Sequence, residues 1–350
     1  MKIKTNTLKQ ALDNLRPIIG RKMTLPILSC VKIYSHMGKL IIEASNLDEF
    51  MSETLDCADD IKPFCVNYKQ LCDSIGGEET GLSFRPEYVD VSIGIGMASI
   101  QTLDVEEFPQ LPKQKFTAHS VNCEELAKSI TSVSWAACVE PSRPVLNSVH
   151  MISAAKVLRV ESSNGRELAY VETPIIGSVF DISIPVSFSG NLASTIMRAG
   201  GILSSSDSWV KCSHNSGEYY CKILEQKFPD VSPIIRAEKK LLGDAKTSEL
   251  QQIFNRCDLF SDPSRPSTAR VIFSSEGASV AFSGKNSKLQ YCAYGNFNPH
   301  ESNLNANSLK NCLRAVNSEI VKIHAASAGA LMIIIESGNL FIHTTEMRTQ

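Results

Sequence analysis

No stretch of this sequence reaches the roughly 18 uninterrupted apolar residues of a membrane-spanning helix. Its seven histidines form no HExxH or HxH arrangement, its eleven cysteines form no CxxC pair, and GxSxG does not occur. These absences remove the common zinc sites, dithiol redox centres and hydrolase elbows, so no catalytic residue, metal ligand or cofactor is assigned. The GxG of "IGIGM" (93–97) lies in an alternating strand pattern with no helix behind it, which excludes a nucleotide loop. The acidic pairs Glu78-Glu79 and Glu106-Glu107 adjoin turns and read as solvated loops. Neither sign of charge dominates: 35 Lys and Arg face 37 Asp and Glu. That excludes a uniformly basic coat but not a basic stripe on one face. An odd cysteine count without paired spacing, behind an N-terminus with no apolar export core, predicts reduced thiols and a cytoplasmic protein.

What is present is a chain of 350 residues, 43% hydrophobic and 21% charged, which predicts a globular protein of two or three domains. Its main signal is internal repetition. "LPILSCVKIYSHMGKLIIEASNLDEF" lies over "RPVLNSVHMISAAKVLRVESSNGREL" without a gap, at an offset of 143 − 25 = 118. Pro26 meets Pro144, Leu28 meets Leu146, Val31 meets Val149 and Asn46 meets Asn164. A fainter third copy starts at Arg265 and registers Pro266, Val271 and Asn286. Asn164-Gly165 is the dipeptide of a tight two-residue hairpin turn. A helical pattern precedes each copy, with Asn6, Asn122 and Thr247 as expected N-caps. A strand and a second helix follow: "NYKQLCDSI", "SGNLASTIMRA" and "NANSLKNCLRAV". Cys72, Cys257 and Cys312 fall in helical patterns and are expected to pack as small apolar groups. The expected fold class is therefore α+β. Three tandem similar domains span 1–115, 116–235 and 236–350, with joints near 109–116 and 232–240.

"TLPILSCVKI", "EASNLD", "EEFPQLP", "RPVLNSV", "LRVESSNGRELA", "KFPDVSPII" and a terminal "EMR" stand in an order that resembles the β sliding clamp of bacterial DNA polymerase III. The resemblance spans essentially the whole chain and leaves open a cellular or a phage origin. It implies three clamp domains, each with two helices on an inner face and β-sheets outside, and a homodimer closing into a ring. The implied function is a non-catalytic processivity factor. It would encircle double-stranded DNA without reading sequence, and would bind a DNA polymerase and a clamp loader through short peptide motifs, with no membrane involved. The alternative is a clamp-like interaction protein that keeps the ring scaffold for other partners.

The DNA-facing candidates are Lys9, Arg16, Lys22, Lys69, Lys128, Arg198, Lys246, Arg256, Lys310 and Arg314, cations on the repeated helices that suit phosphate contact. The resemblance also implies a peptide pocket of Leu146, Ser163, Gly165, Arg166, Leu168, Pro229, Ile234 and Met347. Four departures from the family pattern stand out. Asn164, Arg166 and Glu167 replace an aspartate, a histidine and an arginine. Val231, Ser232 and Pro233 follow "KFPD" in place of a tyrosine and arginines. The tail reads Thr345, Glu346, Met347, Arg348, Thr349, Gln350. Ser187 stands where a cation is usual.

Overall fold

The computed structural model describes residues 1–19, 25–94, 96–140, 142–154, 156–256, 268–283, 288–327 and 331–347. Among these the same order of elements runs three times. The first pass is β1 (Lys2–Lys4), α1 (Thr5–Leu15), β2 (Cys30–His36), β3 (Lys39–Ser45), β4 (Glu49–Asp56), β5 (Phe64–Asn67), α2 (Tyr68–Ser74), β6 (Glu79–Arg85), β7 (Tyr88–Ile93) and β8 (Gly96–Leu103). The second is β9 (Thr117–Ala118), α3 (Cys123–Val133), β10 (Ser148–Ala154), β11 (Val157–Ser163), β12 (Glu167–Pro174), β13 (Phe180–Pro185), α4 (Val186–Ala199), β14 (Ile202–Ser205), β15 (Trp209–His214) and β16 (Gly217–Lys222). A short helix, α5 (Ser232–Ile235), leads to the third: β17 (Lys239–Lys246), α6 (Thr247–Asn255), β18 (Thr268–Ser274), β19 (Gly277–Ser283), β20 (Lys288–Ala293), β21 (His300–Asn305), α7 (Ala306–Arg314), β22 (Ile320–Ser327), β23 (Leu331–Ser337) and β24 (Leu340–Thr345).

Two compact units emerge from the packing: Met1–Glu124 with Asn191–Ile223, and Glu125–Gly190 with Leu224–Gln350. The first holds one antiparallel sheet in the order β1-β6-β7-β8-β5-β2-β3-β4-β16-β15-β14-β9. Here β4 of the first pass pairs with β16 of the second, from Glu49↔Cys221 to Glu53↔Gly217. Gly217 permits that approach, since a Cβ there would sit 1.9 Å from the Ser52 carbonyl oxygen. α1 buries Leu8, Ala11, Leu12 and Leu15, the one-face spacing of an amphipathic helix.

The second unit holds an eight-stranded sheet, β13-β10-β11-β12-β24-β23-β22-β17, and a four-stranded sheet, β20-β19-β18-β21. Its core joins Leu250 and Phe254 of α6 and Leu309 and Leu313 of α7 to Val271, Val280, Ile323 and Ile335.

The first helices of two passes start differently from expectation. α1 begins at Thr5 and α6 at Thr247, each without a side-chain cap. The acceptors are tertiary: Thr5 N–H donates to the Glu78 carbonyl at 3.0 Å and Thr247 N–H to that of Glu319 at 2.9 Å. A carbonyl from a neighbouring segment satisfies an orphan helix donor as well as a capping side chain does. Asn122 directly precedes α3. Asparagine caps occur at second helices instead. Asn67 accepts from Gln70 N–H, and Asn305 accepts from the N–H groups of Asn307 and Ser308. "IGIGM" is likewise not one strand: β7 ends at Ile93, β8 begins at Gly96, and Gly94 between them has φ +55°. Cys72 and Cys312 lie in helices, while Pro266, Asn286 and Cys257 fall outside the described residues.

Candidate nucleic-acid interface and peptide groove

The registered asparagines build the same hairpin tip twice. In the second pass Asn164 N–H donates to the Glu167 carbonyl, and Asn164 Oδ1 accepts from Arg166 and Glu167 N–H, both at 2.9 Å. Ser163 Oγ accepts from Gly165 N–H at 3.1 Å. The central turn residues are thus Gly165 and Arg166, one position later than Asn164-Gly165. Asparagine is worth more at the first position, where its side chain closes the turn, and glycine takes the left-handed conformation at φ +89°. In the first pass Asn46 Oδ1 accepts from Asp48 and Glu49 N–H, Ser45 Oγ accepts from Leu47 N–H, and Leu47 sits at φ +78°.

Both tips end on a buried glutamate. Glu49, 3% exposed, accepts from Asn46 Nδ2, from Asn191 Nδ2 of α4 at 2.8 Å and from the Tyr219 hydroxyl at 2.5 Å. Glu167, 7% exposed, accepts from Asn164 Nδ2 and from Ser308 Oγ of α7. Each carboxylate pins a hairpin to a helix. The Ser-Asn-x-x-Glu spacing shared by 45–49 and 163–167 is the sequence signal for this arrangement.

Beside the second tip, Leu168, Tyr170, Phe228 and Val231 form a buried cluster against which Val145, Leu146, Ile234, Ile235 and Phe341 pack half-buried. Leu146, Leu168 and Ile234 therefore do meet. Leu168 is 3% exposed and forms the floor, whereas Leu146 and Ile234 stay partly open. Gly165 faces this wall: a Cβ there would lie 3.4 Å from an Arg143 guanidinium nitrogen and 3.9 Å from Leu146 Cδ1. Ser163 is buried and bonded within the tip, while Pro229 and Arg166 are exposed.

Met347 is not part of this cluster. Its N–H donates to the Asn303 carbonyl at 2.7 Å, and Thr268 Oγ1 donates to its sulfur. Glu346 beside it accepts from Ser302 Oγ at 2.7 Å. Residues 348–350 of the tail lie outside the described residues. Phe341 of β24 supplies the apolar contact in place of Met347, with Lys239 Nζ 4.4 Å from its ring centroid and 3.1 Å from the Tyr170 hydroxyl. Burial pushes the Lys239 ammonium below its ordinary pKa, against the pull of Glu336 and Glu172. Tyr170, Phe228, Phe341 and Lys239 were not identified from the sequence. Tyr170 could have been, since it shares the face of Leu168 two residues on.

Of the candidate cations, Lys9, Arg16, Lys69, Lys128, Lys246, Arg256 and Arg314 are exposed and Lys310 is half-buried, and Lys246 ends β17 rather than lying on α6. Lys22 lies outside the described residues. Arg16 and Lys69 line one groove of about 1090 Å³ between α1 and α2, together with Asp13 and Asp73. Arg198 is already engaged, 2.9 Å from the Glu53 carboxylate, and Arg256 bears on Tyr291. Ser187 is exposed at the start of α4. Among the described residues no group of three or more His, Cys, Asp or Glu could hold a metal ion, and no helix is long and apolar enough to cross a membrane.

No family model matches the chain. It is 21% identical over 283 residues to the beta sliding clamp of Chlamydia pneumoniae, covering 75% of this chain and 74% of that one. It is 20% identical over 377 residues to the beta sliding clamp of Rickettsia bellii, covering 95% and 94%. Its structure matches DNA polymerase III subunit beta from Pseudomonas aeruginosa with a TM-score of 0.90 at 17% identity, covering 100% of both chains. This chain is a divergent relative of the β sliding clamps and has their fold.

Proposed function

We propose that this chain is a sliding clamp of DNA replication. Two copies close into a ring around duplex DNA in the cytoplasm, and the ring tethers a replicative polymerase after an ATP-driven loader has placed it. The domains are 1–115, 116–235 and 236–350, and the chain carries no catalysis of its own. The observation that carries this reading is the clamp fold over the whole chain, with one element order run three times. Helix-borne Lys and Arg suit a grip on phosphates, which is independent of sequence and screened by salt. The half-buried wall of Leu146, Ile234 and Phe341 beside a buried floor suits a partner's apolar anchor.

The test is topological. Loaded on a circular duplex, the protein stays bound until the circle is cut. Its native mass is that of two chains, 2 × 38.4 = 76.8 kDa. Retention that survives linearisation, or a monomer at micromolar concentration, overturns the reading.

A further inference from the structure

A second groove lies between the end of α3 and α7. It has a volume of about 510 Å³ and is lined by Thr131, Ser132, Trp135, Asn311, Arg314, Ala315 and Asn317. Its charge differs from that of the α1–α2 groove. There Arg16 and Lys69 face Asp13 and Asp73, so the charges cancel. Here one guanidinium stands with no carboxylate among the lining residues. Arg314 is exposed and makes no ion pair among the described residues.

The spacing adds direction. Asn311 lies three residues before Arg314 on α7, and Asn317 follows just beyond the helix end, so two amides line the groove with the guanidinium. Across the groove, the Trp135 indole N–H donates to the Ser132 carbonyl at 2.9 Å. Its hydrogen bond is met locally, so the ring surface is what it offers a ligand. A cation, flanking amide donors and a flat apolar ring together match a sugar–phosphate backbone. The guanidinium takes the phosphate through paired N–H groups, and the ring takes the sugar.

We infer that this groove seats the backbone of duplex DNA, with Arg314 on a phosphate and Trp135 against the adjoining deoxyribose. This rests on the clamp reading and names where, within it, DNA is held.

The chain's two tryptophans make the inference measurable. Trp209 is buried, 9% exposed, with its ring edge-on to Phe50. Adding a short duplex at low salt quenches the emission of the full-length protein, and W135F loses the quench. R314Q binds the duplex several-fold more weakly, with a slope of log K against log salt smaller by about 1. Its native mass and melting temperature stay those of wild type. Duplex binding with unchanged emission and an unchanged R314Q slope overturns the inference and leaves the clamp reading standing. Quenching by single strands but not by duplex overturns it also. A protein that neither binds duplex nor stays on circles overturns both.

Discussion

The imidazole of His150 lies face to face with the ring of Phe228, their centroids 4.8 Å apart and their planes 20° from parallel. Both ring nitrogens are spoken for, Nδ1 by Glu161 and Nε2 by Asp181, each at 2.8 Å. Burial alone would lower this histidine's pKa, but the two carboxylates outweigh it and hold the pKa above the ordinary 6.5. His343 is the opposite case. It is buried with no hydrogen-bond partner on either nitrogen, and burial, with Lys239 and His324 nearby, pushes it down to about 3.

These two groups give stability a maximum near pH 6.5. Above that value the unfolded chain has released its histidine protons, and the stabilisation from charged His150 is lost as pH rises through its folded pKa. Below it the unfolded chain gains a proton that folded His343 refuses, so stability falls toward pH 3. The loss by pH 4 is on the order of 3 kcal/mol. His119 and His214, also lowered by burial, steepen this limb. Melting temperature against pH is the measurement. His343→Phe flattens the acid limb and His150→Phe the alkaline one, and limbs that do not respond refute the assignment.

Floor and wall of the proposed peptide groove separate under mutation. Leu168→Ala removes a buried side chain and costs about 2–5 kcal/mol of stability. Ile234 is half-buried, so Ile234→Asp leaves the fold intact and abolishes capture of polymerase-derived peptides. Peptide titration alongside thermal melting decides. An Ile234→Asp variant with wild-type affinity moves the site elsewhere.

The two hairpin tips predict a reciprocal exchange. Leu47 holds at φ +78° a left-handed conformation that glycine fills at Gly165. Leu47→Gly is expected to stabilise by about 1 kcal/mol, and Gly165→Leu to destabilise by about 1–2 kcal/mol. Denaturant unfolding of the pair reads both signs.

Arg198 serves the fold as the charged partner of Glu53. Burial raises the Glu53 pKa, and Arg198 opposes that shift. Arg198→Ala leaves Glu53 short of a charged partner and costs about 1–3 kcal/mol of stability. The variant's melting curve shows this without DNA, whereas a purely DNA-facing arginine would leave melting unchanged.

The repeat was legible because prolines and asparagines keep their offsets wherever a turn demands them. Element order followed from it, whereas the meeting of Leu146, Leu168 and Ile234 was implied only by the resemblance to the clamp family. The details that escaped are set by distant partners. Ser308 Oγ reaches Glu167 across 141 residues, and nothing near either residue announces the other. Met347 is bonded to Asn303 and Thr268 and is not among the residues packed on Leu168, and Arg198 is committed because Glu53 is buried opposite it. The helix starts moved for the same reason, since a tertiary carbonyl took the place of a cap.

The sheet also crosses from one pass to the next as a backbone ladder. β4 meets β16 over five residue pairs, and β12 meets β24 over five more, from Glu167↔Thr344 to Val171↔Leu340. β1, by contrast, hangs on β6 by only three. Under tension the chain should therefore behave like a seamed fabric rather than beads on a string. β1 peels at low force, and the seams between passes tear late, each in a single cooperative rip.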